Sequence, residues 1–334
     1  MKILINCSLP YSLAHGGWTI QIDQTMAALQ KLGLAVEPVR WWDETQTGDV
    51  IQYFGRMPAE HIRFARKKGI KVVMAELLTA QGSRSLNRLR VQKSISRTVA
   101  RLAPSNFTAA FNWDSYRLAD ACIANTAWEK YLMEYLFGAD PQKVHVVPNG
   151  VEEIFFNSAK TPRGPWLVCT ATVTERKRVL ELAEAAVAAQ TPVWILGRPY
   201  TQEDPYSQRF LACAAANPKW VRFEGAVSDR IELAKIYRSA RGFVLLSTME
   251  TRSLSAEEAA ASECPVLLSD LPWAHGTFTQ GAQFCPVTDS IPVIAATLRR
   301  FYDAAPTLPC PPRPATWSEV AQQFRNVYEK VMLG

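Results

Sequence analysis

The stretch ETRSLSAEEAAASECPVLLSD, from Glu250 to Asp270, directly follows the apolar run GFVLLST. That run predicts a buried strand, and the alanine-rich segment 255–262 predicts a helix. Ser253 or Ser255 can cap this helix, and Ser255 with Glu258 has the spacing of a capping box. CPVLLSD predicts the next buried strand. Strand, helix and strand in this order indicate a parallel βαβ unit.

The same alternation extends over nearly the whole chain. Short apolar runs typical of buried strands alternate with helical patterns such as TIQIDQTMAALQKLG and AWEKYLMEYLFG. The predicted strands are, in chain order, KILINC, LAVEPV, VIQYFG, KVVMAE, CIANT, VHVVPN, WLVCTAT, PVWILG, VRFEG, GFVLLS and PVLLSD. The pattern predicts an α/β fold whose parallel sheets are covered on both faces.

A polar segment with proline and glycine, NSAKTPRGP at about residues 157–165, divides this pattern and is typical of a linker. We therefore expect two Rossmann-like, doubly wound domains. Ligands of such sheets bind outside the carboxyl ends of the strands, so two domains that face each other would form a central cleft.

The composition is that of an ordinary globular protein, with 334 residues, 48% hydrophobic residues and a formal net charge of +6. The seven cysteines are scattered, with no CxxC pair and no histidine cluster at metal-ligand spacing, which argues against a disulfide framework or a zinc site. No apolar run reaches the roughly 18–20 residues that cross a bilayer. We expect a reducing, cytoplasmic setting.

The turn between the last two predicted strands combines two kinds of ligand group. Backbone N–H groups at a helix N-terminus bind phosphate. The carboxylates of Glu250 and Glu258 can accept hydrogen bonds from sugar hydroxyls. This combination suits a nucleotide-sugar. From the spacing alone an alternative remains open, in which Glu258 only caps its helix and Glu250 is solvated.

Six segments, in the same order, resemble retaining glycosyltransferases of family 4, which have the GT-B fold. The opening stretch is similar to the signature of that family, in which a second glutamate follows eight residues after the first. The other segments are GGWTIQIDQTMAALQKLG, ACIANTAWEKYLMEYLFGADPQKVHVVPNGVEEIFF, TATVTERKRVLELAEAA, VRFEGAVSDRIELAKIYRSARGFVLLST and TWSEVAQQFRNVYEKVM. The resemblance covers nearly the whole chain.

The resemblance implies a role for each matching position of the donor site. Glu250 would contact hydroxyls of the donor sugar, and Glu258 would hold the ribose. Lys177 would neutralise the leaving diphosphate. Backbone amides of the turn would help to bind it, namely those of Thr251, Arg252, Ser253 and Leu254. The favoured proposal for such enzymes needs neither a nucleophile of the enzyme nor a divalent metal, and no cofactor besides the UDP- or GDP-sugar substrate.

The resemblance also implies a division of labour between the two domains. Residues 1–157, completed by the C-terminal helix 317–334, would form the acceptor side. Residues 158–316 would form the nucleotide-sugar donor side. Gly16 and Gly17 would let the backbone approach the donor phosphates and the acceptor.

Two positions depart from the family pattern. The family usually has an arginine five residues before the lysine, and this chain has Thr172 there. Arg176, Arg178 or Arg198 could replace the missing cation. Many members have a histidine after the strand KVVMAE, and here that place is Glu76. We expect Glu76 at the catalytic site, and a strand-end residue in solvent is the alternative.

These observations predict a retaining glycosyltransferase that moves a sugar from a nucleotide-diphosphate sugar to a glycan, lipid or small-molecule acceptor. The alternative is a non-catalytic nucleotide-sugar binding protein on the same fold, which the two departures would suit. An epimerase or phosphorylase of this fold would be expected to show acids for ring chemistry or a cofactor lysine, and neither pattern is found.

The segment 84–101, RSLNRLRVQKSISRTVAR, carries five arginines and one lysine and no acid. Its apolar residues follow helical spacing, so it predicts an amphipathic helix, and the simpler interpretation is a helix with a basic, solvated face. Contact of this helix with an anionic membrane surface at the periphery is the alternative. No aromatic residues interleave with the charges, so we expect no nucleic-acid partner.

Overall fold

A computed structural model describes residues 1–9, 11, 16–103, 111–156, 161–201 and 203–334. These residues form two compact units. The first unit comprises Met1–Gly150 and Ala315–Gly334, and the second comprises Val151–Pro314. The first four residues of the predicted linker, 157–160, lie outside the described ranges.

The first unit contains a parallel sheet of six strands in the order β2-β1-β3-β4-β5-β6. Its strands are Lys2–Cys7 (β1), Ala35–Pro38 (β2), Val50–Phe54 (β3), Lys71–Ala75 (β4), Ala121–Ala124 (β5) and Val144–Val146 (β6). Because all the pairings are parallel, the carboxyl ends of these strands lie along one edge of the sheet.

Helices connect and cover these strands. In the described part of the first unit they are Gly17–Lys31 (α1), Ala59–Lys67 (α2), Thr79–Gly82 (α3), Leu86–Leu102 (α4), Ser115–Leu118 (α5), Ala127–Phe137 (α6) and, last in the chain, Trp317–Leu333 (α13). Apolar side chains of the sheet pack against α2 and α6, and Ile62, Met74 and Leu132 are fully buried there.

Helix α13 belongs to the first unit although it follows the second in sequence. Thr316 and Glu319 form a capping box at its start. The Tyr328 hydroxyl donates a hydrogen bond to Gln52 Oε1 at 3.0 Å. A Cβ atom at Gly150 would lie 2.6 Å from the Trp317 Cα atom, so only glycine permits this close approach of the two backbones.

The second unit contains a second parallel sheet, in the order β12-β11-β10-β7-β8-β9. Its strands are Leu167–Thr170 (β7), Val193–Leu196 (β8), Val221–Glu224 (β9), Gly242–Leu245 (β10), Val266–Ser269 (β11) and Ala282–Cys285 (β12). Its described helices are Val179–Ala188 (α7), Pro205–Ala216 (α8), Arg230–Ser239 (α9), Leu254–Ala261 (α10), Pro272–Thr277 (α11) and Ile291–Ala304 (α12). Single 3₁₀ turns lie at Glu153–Phe155, Glu175–Lys177 and Ala305–Thr307.

The fold class predicted from the sequence is confirmed, since both units are open parallel sheets with helices between the strands. The observed start of α10 differs from the predicted one by one residue. The helix begins at Leu254, and Ser253 is the N-cap, with its hydroxyl accepting from the Ala256 N–H group at 3.4 Å. Ser255 lies inside the first turn, so the capping box that its spacing with Glu258 suggested does not form.

Candidate functional site

In the second unit, two loops that follow neighbouring strands meet at the carboxyl edge of the sheet. The loop after β7 ends in the 3₁₀ turn Glu175–Lys177, and the loop after β10 contains Glu250. The carbonyl oxygen of Arg176 accepts a hydrogen bond from the Thr248 N–H group at 2.9 Å. This hydrogen bond holds the loop after β7 against the end of β10.

Two cations from the β7 loop converge on one carboxylate oxygen. The Arg176 Nη1 atom lies 3.0 Å from Glu250 Oε1, and the Lys177 ammonium group donates to the same oxygen. The side chains of Lys177 and Glu250 are 13% and 12% exposed, while that of Arg176 is 39% exposed. Burial by itself would raise the pKa of Glu250, but Lys177 and Arg176 outweigh it and hold that pKa below its usual value. The site therefore pairs a buried, ionised acid with two cations.

The turn between β10 and α10 places several backbone N–H groups at the positive end of the helix. Thr251, Ser253 and Leu254 belong to this turn. The side chain of Arg252 points into the protein, where its Nε atom donates to Glu257 Oε1 at 2.6 Å. Glu257 is fully buried, and burial raises its pKa even though Arg252 opposes the shift. The guanidinium group of Arg252 is thus engaged with Glu257.

Glu258 lies on the buried face of α10 and is 6% exposed. Its Oε1 atom accepts a hydrogen bond from Arg230, and the Tyr237 hydroxyl donates to its Oε2 atom at 3.4 Å. Arg230 also donates from Nε to Glu152 Oε1 at 2.7 Å. Burial raises the pKa of Glu258 to about 7, against the opposing effect of Arg230. Arg230 was not among the residues predicted from the sequence. A signal was available, because a cation at the first position of a helix opposes the helix dipole and so needs local anions.

The cation that is absent at position 172 has one well-placed replacement among the three that the sequence suggested. Arg176 contacts Glu250 directly. Arg178 is 5% exposed and donates to the Thr288 carbonyl oxygen at 2.6 Å, so its side chain is held inside the protein. Arg198 is exposed and follows β8.

In the first unit, Glu76 directly follows β4 at the carboxyl edge of the sheet. Arg56 donates to both of its carboxylate oxygens, at 2.7 and 3.0 Å, and the Tyr116 hydroxyl donates to Oε2 at 2.5 Å. The Arg56 guanidinium group lies 4.5 Å from the centre of the Phe137 ring. Burial, with Glu76 adding to it, raises the pKa of Tyr116 well above its usual value, so Tyr116 stays a hydrogen-bond donor. Neither Arg56 nor Tyr116 was predicted from the sequence.

The glycine loop is described only from its last part. Gly16 precedes α1 with a φ of 120°, in the region that glycine favours, and Gly17 is the first helical residue. A Cβ atom at Gly16 would meet no atom within 4 Å, so the backbone there is open to approach. Residues 12–15 of this loop lie outside the described ranges.

The basic segment forms α4, in which Leu89 is the buried residue. Val91, Ile95 and Leu102 follow helical spacing on one face and are exposed at 59%, 59% and 80%. Arg90 and Arg97 of the same helix are also exposed. No helix within the described ranges is long and apolar enough to span a membrane. Within the same ranges, no three His, Cys, Asp or Glu side chains converge as a metal site requires.

Residues 164–303 match the family described as Glycosyl transferases group 1. No curated protein matches the chain in sequence. Among solved structures, the chain is similar to a glycosyltransferase from Rickettsia africae ESF-5, with a TM-score of 0.68 and 11% identity over 99% of this chain and 98% of that chain. It is also similar to sucrose-phosphate synthase from Thermosynechococcus elongatus, with a TM-score of 0.66 and 16% identity over the whole of both chains. The Anabaena protein HepE, solved in complex with UDP, has a TM-score of 0.64 and 14% identity over 99% of this chain and 98% of that chain.

At identities this low, the structural similarity establishes the fold alone, and that fold is GT-B. The family match falls on the second unit, which holds the converging cations and acids described above. The chain therefore carries a group 1 glycosyltransferase domain on a GT-B fold. The protein is a glycosyltransferase.

Proposed function

We propose that this enzyme is a cytoplasmic member of family 4 that transfers a sugar from a UDP- or GDP-sugar with retention of anomeric configuration. The observation that carries the proposal is the convergence of Lys177 and Arg176 on Glu250 beside the N-terminus of α10. Two cations and a helix end can bind a diphosphate, and a buried carboxylate next to them can bind sugar hydroxyls.

The residues of this site serve mainly to stabilise the leaving group. In the reaction the bond between the anomeric carbon and the diphosphate oxygen breaks, and a bond to the acceptor oxygen forms on the same face. The acceptor proton passes to the departing phosphate. Lys177 and the backbone N–H groups of Thr251 to Leu254 neutralise the charge that develops on the diphosphate. Glu250 orients the sugar through its hydroxyls, and Glu258 holds the ribose.

Arg176 supplies the second phosphate-binding cation that Thr172 cannot. Its guanidinium group contacts the same carboxylate oxygen as Lys177 and is partly exposed, so it can reach an incoming phosphate. Arg198 remains a further, outer contact to the donor, since it is exposed on the loop after β8. Arg176, at the end of the same loop, thus carries the positive charge that is missing at Thr172.

The second unit is proposed to bind the donor, and the first to bind the acceptor. Gly16 and Gly17 would let the acceptor or the donor phosphates approach the backbone closely. The carboxylate of Glu76 is shared between Arg56 and Tyr116. We assign it to positioning of the acceptor at the catalytic site, because its hydrogen-bonding capacity is largely taken by these two donors.

The proposed reaction has two substrates, the nucleotide-sugar donor and the acceptor. We propose that no metal or other cofactor takes part. Lys177 and Arg176 provide the positive charge that a metal ion would otherwise bring to the diphosphate. The complex of HepE with UDP makes uridine nucleotides the first to test.

Helix α4 is proposed to bring the enzyme to an anionic membrane surface from the cytoplasmic side. The exposed apolar face of Val91, Ile95 and Leu102 would enter the interface, and the flanking arginines would contact anionic headgroups. The charge and the apolar area lie on one helix, as interfacial binding requires. No nucleic-acid partner is proposed.

The experiment that tests the proposed function is a thermal-shift screen of the purified protein with UDP, GDP, ADP and their common sugars, without metal. A ligand that binds only the folded state raises the melting temperature. We expect a selective shift with one nucleotide, followed by slow release of sugar from its donor. A shift without turnover against any acceptor would instead favour the non-catalytic binding protein, and no shift would contradict both.

A further inference from the structure

Arg230 occupies an unusual place for a cation, as the first residue of α9 directly after the N-cap Asp229. The positive end of the helix disfavours a cation there. Three contacts offset this. Arg230 donates from Nε to Glu152 Oε1 at 2.7 Å and from Nη2 to Glu258 Oε1, and its guanidinium group lies 4.7 Å from the centre of the Phe155 ring. The side chain therefore forms a bridge between two acids from distant parts of the unit.

Glu258 has few other groups that could keep it charged. Tyr237 on α9 and Cys169 on β7 are both fully buried, and burial raises the pKa of the Cys169 thiol to about 12, so it stays neutral. Tyr237 stays protonated for the same reason and donates weakly to Glu258. Glu152 is a second acid and favours protonation of Glu258. In the turn before α10, Arg252 is engaged by Glu257, as described above. Among the described residues, Arg230 is thus the cation that bonds Glu258.

We infer that Arg230 is a positioning residue that favours the ionised form of the Glu258 carboxylate and orients it for the two ribose hydroxyls of the donor nucleotide. The inference rests on the proposed role of Glu258 in donor binding. A charged carboxylate can accept a hydrogen bond from each of two vicinal hydroxyls. In a protonated carboxyl group, one oxygen carries the proton and acts as a donor. Arg230 acts on the nucleotide through Glu258 and needs no contact with it.

The ionisation of Glu258 then makes donor binding sensitive to pH near neutrality. Its pKa of about 7 leaves the carboxyl only partly ionised at pH 7. Nucleotide affinity should therefore rise with pH and level off above pH 8. Below pH 7 it should fall by up to about tenfold per pH unit, because each unit lowers the ionised fraction tenfold.

Two substitutions should move this profile in opposite directions. Arg230→Met removes the cation, so the pKa of Glu258 should rise, and affinity at pH 7 should fall about tenfold for each unit of rise. Glu152→Gln removes the second acid while keeping Arg230, so the pKa of Glu258 should fall and affinity at pH 6.5 should increase. Arg230→Lys should lie between Arg230→Met and the unsubstituted protein. Arg299→Met, which breaks an exposed pair with Asp303, is the matched control and should leave the profile unchanged.

The measurements are nucleotide affinity from pH 5.5 to 9 by calorimetry and a carbon-13 NMR titration of the Glu258 carboxyl in the nucleotide-free protein, assigned with Glu258→Gln. Opposite shifts in both measurements support the inference. A loss of affinity in Arg230→Met that is equal at every pH, with an unmoved Glu258 titration, would overturn it and make Arg230 a direct ligand. If no nucleotide binds even to the unsubstituted protein, the proposed function fails, while the NMR titration still decides whether Arg230 controls Glu258. Arg230→Lys and Glu152→Gln keep the test decisive if Arg230→Met does not fold.

Discussion

Lys177 is a partly buried cation at the proposed diphosphate site, and both it and Arg176 pair with Glu250. Lys177→Ala should weaken UDP binding by about 10- to 100-fold, the equivalent of one lost charged hydrogen bond. Arg176→Ala should have a smaller effect, since that side chain is more exposed and its charge is screened. Uridine is the control ligand because it lacks phosphates. Equal losses for UDP and uridine would show that Lys177 supports the pocket rather than the phosphates.

Glu250 is predicted to separate nucleotide binding from sugar transfer. Glu250→Ala should lower transfer at least about 100-fold, since contacts to the reacting sugar count fully in the transition state. UDP affinity should stay the same or increase, because Lys177 and Arg176 lose their internal partner. Steady-state transfer and UDP calorimetry measure the two quantities. Glu232→Ala removes an exposed acid of the same unit and should change neither. Transfer by Glu250→Ala at the normal rate would remove Glu250 from the site.

At the level of single elements, α10 combines a structural and a functional end. Ser253 caps the helix, and its loss should cost about 1 kcal/mol of unfolding free energy in Ser253→Ala. Ser253→Asp should retain stability to within about 0.5 kcal/mol, because aspartate caps as well as serine. The same substitution places a negative charge at the proposed phosphate site and should abolish UDP binding. Denaturant unfolding and calorimetry, run on both variants, separate the two roles. Normal UDP binding by Ser253→Asp would exclude this helix end as the phosphate site.

Most elements were predictable because their signals are local. Each of the eleven predicted strands overlaps an observed strand, and the helix predicted from 84–101 is observed as α4. Strand β12 was missed. Its sequence, AQFC, is short and partly polar, and it lies at the edge of the sheet, where only one neighbour requires apolar contacts. The start of α10 was placed one residue late, because two serines could serve as cap and only the backbone conformation distinguishes them.

For the whole molecule, the net charge of +6 and the concentration of cations on α4 make a prediction about location. The protein should sediment with vesicles of phosphatidylcholine and phosphatidylglycerol at low salt. It should not sediment with phosphatidylcholine alone. Sedimentation with the anionic vesicles should weaken strongly at about 0.5 M NaCl, because salt screens the attraction between the cations of α4 and the headgroups. Ile95→Glu should reduce binding at low salt as well, since the apolar face must enter the interface.

Arg299→Glu makes the net charge more negative than Ile95→Glu does, because it replaces a cation rather than a neutral side chain. Arg299 lies on another helix, so Arg299→Glu serves as the control and should bind nearly as well as the unsubstituted protein. Equal binding to neutral and anionic vesicles would contradict the electrostatic part of the proposal. Binding to neither would leave α4 as an ordinary solvated helix and would contradict membrane contact altogether.

The residues at the candidate site could be named from the sequence, but their partners could not. Glu250 follows a strand, and Glu258 lies in a helix. Hydrophobic periodicity and capping signals predict both placements to within a few residues. The cations that pair with them come from elsewhere, since Arg176 lies 74 residues before Glu250 and Arg230 lies 28 before Glu258. Local propensities carry no information about such pairs, because packing of the sheets brings the loops together. The tertiary structure alone therefore decides which acids are buried and which cations they face.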